Sequence, residues 1–370
     1  MKNLVTLPKS GMTKEESAVI KGLAIWMMVY HHRFNGVALY GGHYHSLLNF
    51  GGVNLEQALA WFCKLCVALY AFVSGYGMFY SLRKGDETEQ NKLFPALLNK
   101  YRIVLKRLWN FYRQYWLVLI VYVLLNWLLY RQPILWKELL ANLLGISSSY
   151  NGSWWYVFQY VKMMAAVPIL DVLFIRFPSK TEELLKWILP VCVIGAGSVL
   201  WGGFFQLVDW IRPAFTAVFV MGYLFAKYSV YQRLNQWMID WRKGWAIAFC
   251  LAVLGAVICL RVVLAKDADY AQTDFLIAPI FIYSLLYLLR YLKNFSRILA
   301  WFGGYSTYIW LFHLFFFGQA FERIVLLTGW STGIYLTLMG LSTLTALVLA
   351  FLERKIFNNG KRPNADNDPG

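Results

Sequence analysis

This chain is short of charge. Asp, Glu, Lys and Arg together make up 15% of its 370 residues, against about 25% in an ordinary soluble domain. Acidic residues are the scarcer kind, 19 against 35 basic ones. That shortage argues against a water-soluble enzyme built on clusters of carboxylates. Cysteine is also sparse. Cys63, Cys66, Cys192, Cys250 and Cys259 all sit in apolar segments. The Cys63–Cys66 pair has no second pair to complete a zinc site, so these thiols read as packing residues, and no metal is expected. No signal-peptide cleavage site is evident. The first apolar run contains a lysine, lacks the small residues a signal peptidase needs, and is expected to remain as a signal-anchor span. There is no convincing internal repeat and no appended soluble domain.

Apolar and aromatic residues fill the gap. The hydrophobic share is 59% and the aromatic share 18%, with 17 Trp and 24 Tyr, a supply that suits interfacial belts. Mean hydropathy is +0.49. Runs of about 20 apolar residues cross a hydrocarbon core of about 30 Å, and about ten such runs emerge, near 18–36, 58–80, 112–130, 155–176, 184–204, 210–229, 244–264, 274–291, 298–320 and 332–352. In lipid each must be helical. The fold class expected is therefore all-α: a polytopic membrane domain over 1–357, followed by a disordered polar tail, 358–370.

The net charge of +16 would suggest nucleic acid in a soluble protein. Here the cations are scattered between apolar spans, which fits basic cytoplasmic loops and excludes nucleic acid as the natural partner. Connection 81–113 is the richest. Basic and poor connections then alternate along the chain, which predicts cytoplasmic N and C termini. Within the rich connection, Phe94, Leu97, Leu98, Tyr101, Leu105 and Leu108 recur at helical spacing among Lys100, Arg102, Lys106 and Arg107. Residues 92–113 thus read as a basic amphipathic helix on the cytoplasmic surface, facing membrane lipids or a polyphosphate ligand.

Ionisable groups inside spans are expensive and mark functional candidates. Lys21, His31, His32, Lys162, Asp171 and His313 stand out. Asp171 has a bland explanation, an ion pair with Arg176 or with a neighbouring helix. Residues 21–34, KGLAIWMMVYHHRF, are more informative. Eleven helical steps separate Lys21 from His32, about three turns plus 20°, so the two share one face about 16 Å apart. His31 points about 80° aside. The predicted orientation puts Lys21 near the inner surface and His32 in the outer half, at the depth of His313. That clustering suits proton-transfer chemistry. A competing reading, an external metal site built from His31, His32, His43 and His45, finds no acidic or thiolate partner nearby.

Four stretches together resemble the acyltransferase family 3 proteins, bacterial inner-membrane enzymes that O-acylate surface glycans and related molecules. They are Lys21-Gly22 with ten residues between the lysine and His32, FVSGYGMFY at 72–80 with Ser74 and Gly75, GSWWYVFQYVKMMAAVPIL at 152–170, and GGYSTYIWLFH at 303–313. The likeness covers nearly the whole chain. The sequence departs from the family pattern at Gln159, where some members carry glutamate, at Trp310 and at Leu314. It also has no extracytoplasmic esterase-like domain.

The resemblance implies a multi-pass protein of the bacterial inner membrane. Its donor would be acyl-CoA, commonly acetyl-CoA, used as a substrate rather than held as a permanent cofactor. Its acceptor would be a hydroxyl of a cell-surface glycan or related envelope molecule. On this expectation His32, with His313 and Ser74, carries the chemistry. Lys21, Arg102 and Lys106 hold the donor's phosphates, and Tyr308, with Ser74, donates a hydrogen bond toward the thioester oxygen. The alternative is a transporter or flippase for a glycan or lipid precursor, which explains the spans but not the register of Lys21 with His32.

Overall fold

The computed structural model describes residues 11–36, 44–50, 53–83, 93–175, 213–265 and 273–358. They are helical almost throughout, as an apolar chain in lipid must be. In chain order the elements are α1 (Lys14–Phe34), a two-residue hairpin pair β1 (Asn49–Phe50) and β2 (Val53–Asn54), α2 (Leu55–Cys63), α3 (Cys66–Arg83), α4 (Leu93–Tyr130), α5 (Trp136–Leu143) and α6 (Trp155–Ile175), followed by α7 (Pro213–Lys227), α8 (Val230–Met238), α9 (Lys243–Ala265), α10 (Asp274–Leu289), α11 (Lys293–Phe312), α12 (Gln319–Leu326) and α13 (Ser331–Asn358). Short 3-10 turns at Gly152–Trp154 and His313–Phe317 precede α6 and follow α11.

Among the described residues four helices are long and apolar enough to cross a membrane, Leu55–Arg83, Phe94–Tyr130, Lys243–Leu264 and Ser331–Phe357, and up to six if two bent pairs each count as one span. The expected span at 184–204 lies outside the described residues, as does the tail from 359. Helix α4 also differs from expectation. The amphipathic segment at 92–113 and the span at 112–130 form one uninterrupted helix of 38 residues. No Gly or Pro interrupts it after Pro95, which sits in its first turn, where a proline is tolerated.

The chain divides into two compact units, each with its own packing. The first comprises residues 1–24, 61–106 and 159–303. Its helices meet through glycines. A Cβ on Gly75 would lie 1.9 Å from the Phe219 carbonyl oxygen, and one on Gly222 would lie 2.1 Å from that of Phe72, so α3 and α7 touch backbone to backbone. Helices α1 and α11 repeat the device. Gly22 faces the Leu299 carbonyl and Gly303 that of Ala18. Apolar side chains gain nothing by leaving lipid for one another, so close backbone approach through small residues is the favoured way to bind helices there.

Charge inside this unit is paired. Lys100 of α4 lies 2.8 Å from Asp171 of α6, both within 3% of fully buried, and the Tyr223 hydroxyl donates to the other Asp171 oxygen. The expectation that Asp171 pairs with a neighbouring helix is met, by Lys100. Arg176 lies outside the described residues. Arg261 and Asp274 make a second buried pair at 2.9 Å. Lys100 therefore leaves the basic surface face predicted for 92–113, on which Arg102 and Lys106 are exposed.

The second unit comprises residues 25–60, 107–158 and 304–370. Here α4 presents Tyr112, Tyr115 and Trp116 to the carbonyls of Leu144, Asn142 and Leu143. These are carbonyls at the end of α5, which a helix terminus leaves without intrahelical donors. Glu56, at the start of α2, gathers the segment before it. It accepts hydrogen bonds from Ser46 Oγ, Leu47 N and Ser331 Oγ.

Candidate active site

The second unit brings two of the predicted residues together. His32, in the last turn of α1, places Nδ1 2.7 Å from Nε2 of His313, which begins the 3-10 turn after α11. The rings lie nearly in one plane, at 20°, with centroids 4.9 Å apart. That separation is close to the bond length plus two ring radii, so the rings meet edge to edge through the hydrogen bond rather than face to face.

The partners fix the tautomers. His313 Nδ1 lies 2.7 Å from the Trp310 carbonyl and 3.2 Å from that of Ile309. Carbonyls only accept, so Nδ1 carries the hydrogen and Nε2 of the neutral ring carries a lone pair. That lone pair accepts from His32 Nδ1–H. His32 Nε2 is then left with its own lone pair, the form of imidazole that can remove a proton or attack a carbonyl carbon. If His32 takes a proton at Nε2, its Nδ1–H still points at an acceptor, which steadies the cation. His313 thus orients the His32 ring and would stabilise its cation.

His31 is occupied elsewhere. Its Nδ1 lies 2.8 Å from the Ala60 carbonyl, and its ring centre 5.4 Å from that of His32. Arg33 follows in sequence. It is 7% exposed, with its guanidinium carbon 6.0 Å from the Phe317 ring centre, and it puts a buried positive charge in the helical turn that carries His32.

The placement of His313 depends on how α11 ends. The carbonyls of Ile309, Trp310 and Leu311 belong to the last turn, where intrahelical donors run out. His313 takes the first two. The third accepts from Asn151 Nδ2 at 3.1 Å and from Trp154 Nε1 at 2.9 Å. In return Trp310 Nε1 donates to the Ser153 carbonyl at 3.2 Å. Asn151 is itself fixed, its side-chain oxygen accepting from Ser153 N and Ser153 Oγ. All these groups are buried. The GSWW and GGYSTYIWLFH stretches, noted separately in the sequence, form one reciprocal clamp. The indole of Trp310, a departure from the family pattern, supplies one of its donors.

The other predicted residues have surroundings of their own. Lys21 and Ser74 belong to the first unit. The Lys21 carbonyl accepts from the Tyr70 hydroxyl, and Ser74 is partly exposed on α3. Arg102 Nη1 donates to Asn99 Oδ1 one turn earlier, at 3.2 Å. Tyr308 has a partner within the second unit. Its hydroxyl donates to Glu353 Oε2 at 2.6 Å, and Arg113 holds the other Glu353 oxygen at 3.3 Å. In this arrangement the single phenol proton goes to the carboxylate. Of the proposed metal ligands, His45 packs on Trp330 at 5.1 Å between ring centres, and His43 lies outside the described residues.

A multi-pass helical membrane protein with a directionally ordered histidine pair is the class that this architecture defines. Within that class the chain belongs to the acyltransferase domain family, which it matches over residues 16–352, nearly its whole length. Membership assigns it to membrane proteins that transfer acyl groups. No curated protein and no solved structure matches it.

Proposed function

We propose that this protein is a membrane O-acyltransferase that moves an acyl group, most simply acetyl, from acyl-CoA to a hydroxyl of a cell-surface glycan or related envelope molecule, in the inner membrane of a bacterium. The single observation that carries this reading is the ordered His32–His313 pair, whose hydrogen bonds leave His32 Nε2 as the available base.

His32 Nε2 takes the acceptor hydroxyl's proton as that oxygen bonds to the thioester carbonyl carbon. The tetrahedral intermediate collapses, the C–S bond breaks, and the thiolate of CoA leaves with the proton held on His32. The ester and free CoA balance the reaction. General-base help of this kind is worth about 10²–10⁴-fold. Arg33 is the nearest cation in sequence to balance negative charge on the carbonyl oxygen. The branch in which Nε2 itself attacks, giving an acyl-imidazole, uses the same lone pair. Lys21 is retained as a contact for donor phosphate on the strength of its helical register with His32. Ser74 rests on the family pattern alone.

The test uses membranes from expressing cells, acyl-labelled acetyl-CoA and candidate glycans. Acceptor-dependent thiol release and label in the glycan, both lost in His32→Ala, support the reading. No release from the wild type, together with an unchanged envelope in cells carrying His32→Ala, overturns it and favours the transporter.

A further inference from the structure

The first unit contains a cavity that the reading above does not use. It measures about 340 Å³ and lies between the start of α1 and the turn from α10 to α11, within the range of small-molecule sites, which begins near 300 Å³. A second hollow shares Arg290 and Lys293 with it.

The lining has two chemistries. Arg290, Lys293 and Arg297 supply positive charge, and Thr13 and Ser296 supply hydroxyls. Beneath them Val19, Leu286 and Leu289 contribute a buried apolar surface. Two carboxylates also face the site, and their commitments differ. Glu16 Oε1 accepts from Arg290 Nε at 2.9 Å, and Glu16 Oε2 from Thr13 N at 2.9 Å. Arg290 is further held by Asn235. Glu16 and Arg290 therefore cancel each other and fix the wall. Lys293 and Arg297 remain as exposed cations, four residues apart and so on one face of α11. Among the described residues lining the cavity, exposed Glu15 is the carboxylate left to face them.

Neighbouring cations above an apolar floor fit a ligand with clustered phosphates at one end and a flat apolar group at the other. We propose that this cavity binds the nucleotide end of the acyl donor, Lys293 and Arg297 taking its phosphates and the Val19–Leu286–Leu289 surface taking its base. The assignment rests on the acyl-CoA reading above. It moves the main phosphate contacts from the expected set of Lys21, Arg102 and Lys106 to α11.

The test is direct binding to the full-length protein in phosphatidylcholine nanodiscs, with CoA, adenosine 3′,5′-bisphosphate and phosphate-free pantetheine as probes. The double variant Lys293→Gln/Arg297→Gln should bind CoA and the bisphosphate at least about tenfold more weakly, since charge-assisted contacts to phosphate are lost. Glu15→Gln should tighten both, and pantetheine should respond to neither change. If wild type binds CoA and the double variant binds it equally, the cavity assignment fails while the acyl-CoA reading stands. If wild type binds no CoA, both fail. A double variant that keeps CoA but loses co-purifying phosphatidylglycerol would make this a lipid-headgroup site and would overturn the proposal.

Discussion

His32 Nδ1 and His313 Nε2 stand 2.7 Å apart across 281 residues of sequence, and the direction of the proton between them is set from the far side, by the Trp310 carbonyl on His313 Nδ1. Which nitrogen of His32 keeps its lone pair is thus set by a main-chain oxygen that the ring does not touch.

Removing the two rings should have different consequences. His32→Ala is expected to abolish transfer, a loss of about 10²–10⁴ or more in kcat/KM. His313→Ala should cost about as much as the wrong tautomer does in a catalytic triad, up to about 10⁴. His313→Gln, whose amide oxygen can accept from His32 Nδ1–H, should recover part of it. Rates for the three variants, set against unchanged thermal unfolding, check this. Equal losses for Ala and Gln at position 313 would deny the acceptor role.

The clamp on Leu311 predicts an effect in residues far along the chain. Trp154→Phe keeps the ring but removes its donor, and Asn151→Ala removes the other. Each should lower kcat by about tenfold, the equivalent of one buried hydrogen bond of about 1 kcal/mol or slightly more. KM for the donor should stay within about twofold. Steady-state kinetics across acyl-CoA concentration separates the two parameters.

Tyr308 offers a clean choice between two roles. As a donor contact, Tyr308→Phe would raise KM. As the partner of Glu353, it should leave KM unchanged and cost about 1.5–3 kcal/mol of stability, the range for a hydrogen bond to a charged group. Donor titration alongside thermal unfolding in detergent decides between them.

The buried Lys100–Asp171 pair should be sensitive to loss of one partner and tolerant of losing both. Lys100→Met leaves an uncompensated buried carboxylate and is expected to destabilise by about 3–5 kcal/mol, whereas Lys100→Met with Asp171→Leu should recover most of that. A double-mutant cycle read by unfolding gives the coupling directly.

The sequence made single residues legible better than it made their partners legible. His32 followed from counting helical steps along one helix, where geometry is local. His313 stood out as a lone ionisable group in an apolar run, but its contact with His32 joins two helices, and periodicity within either says nothing about that. Lys100 shows the same blindness in reverse. Among Arg102, Lys106 and Arg107 it reads as one more surface cation, and only Asp171, on another helix, draws it inward. Tyr308 was assigned to the donor because its motif ends at His313, while Glu353, which holds its hydroxyl, lies well beyond that motif. Asn151 and Trp154 gave a usable signal, an Asn before a Trp-rich turn, whose meaning required knowing where α11 ends.

The glycine contacts bear on how this protein could be made more robust for study. In a helix interior alanine is normally the better residue by about 1 kcal/mol, so exchanging glycine for alanine is a common route to hardier variants. Gly22, Gly75, Gly222 and Gly303 close that route, because the added methyl would sit about 2 Å from another helix's carbonyl oxygen. Among the described residues, a Cβ added to the helical Gly244, Gly255, Gly304 or Gly340 meets nothing within 4 Å. Those four positions are where an engineer could gain toughness without prising any pair of helices apart.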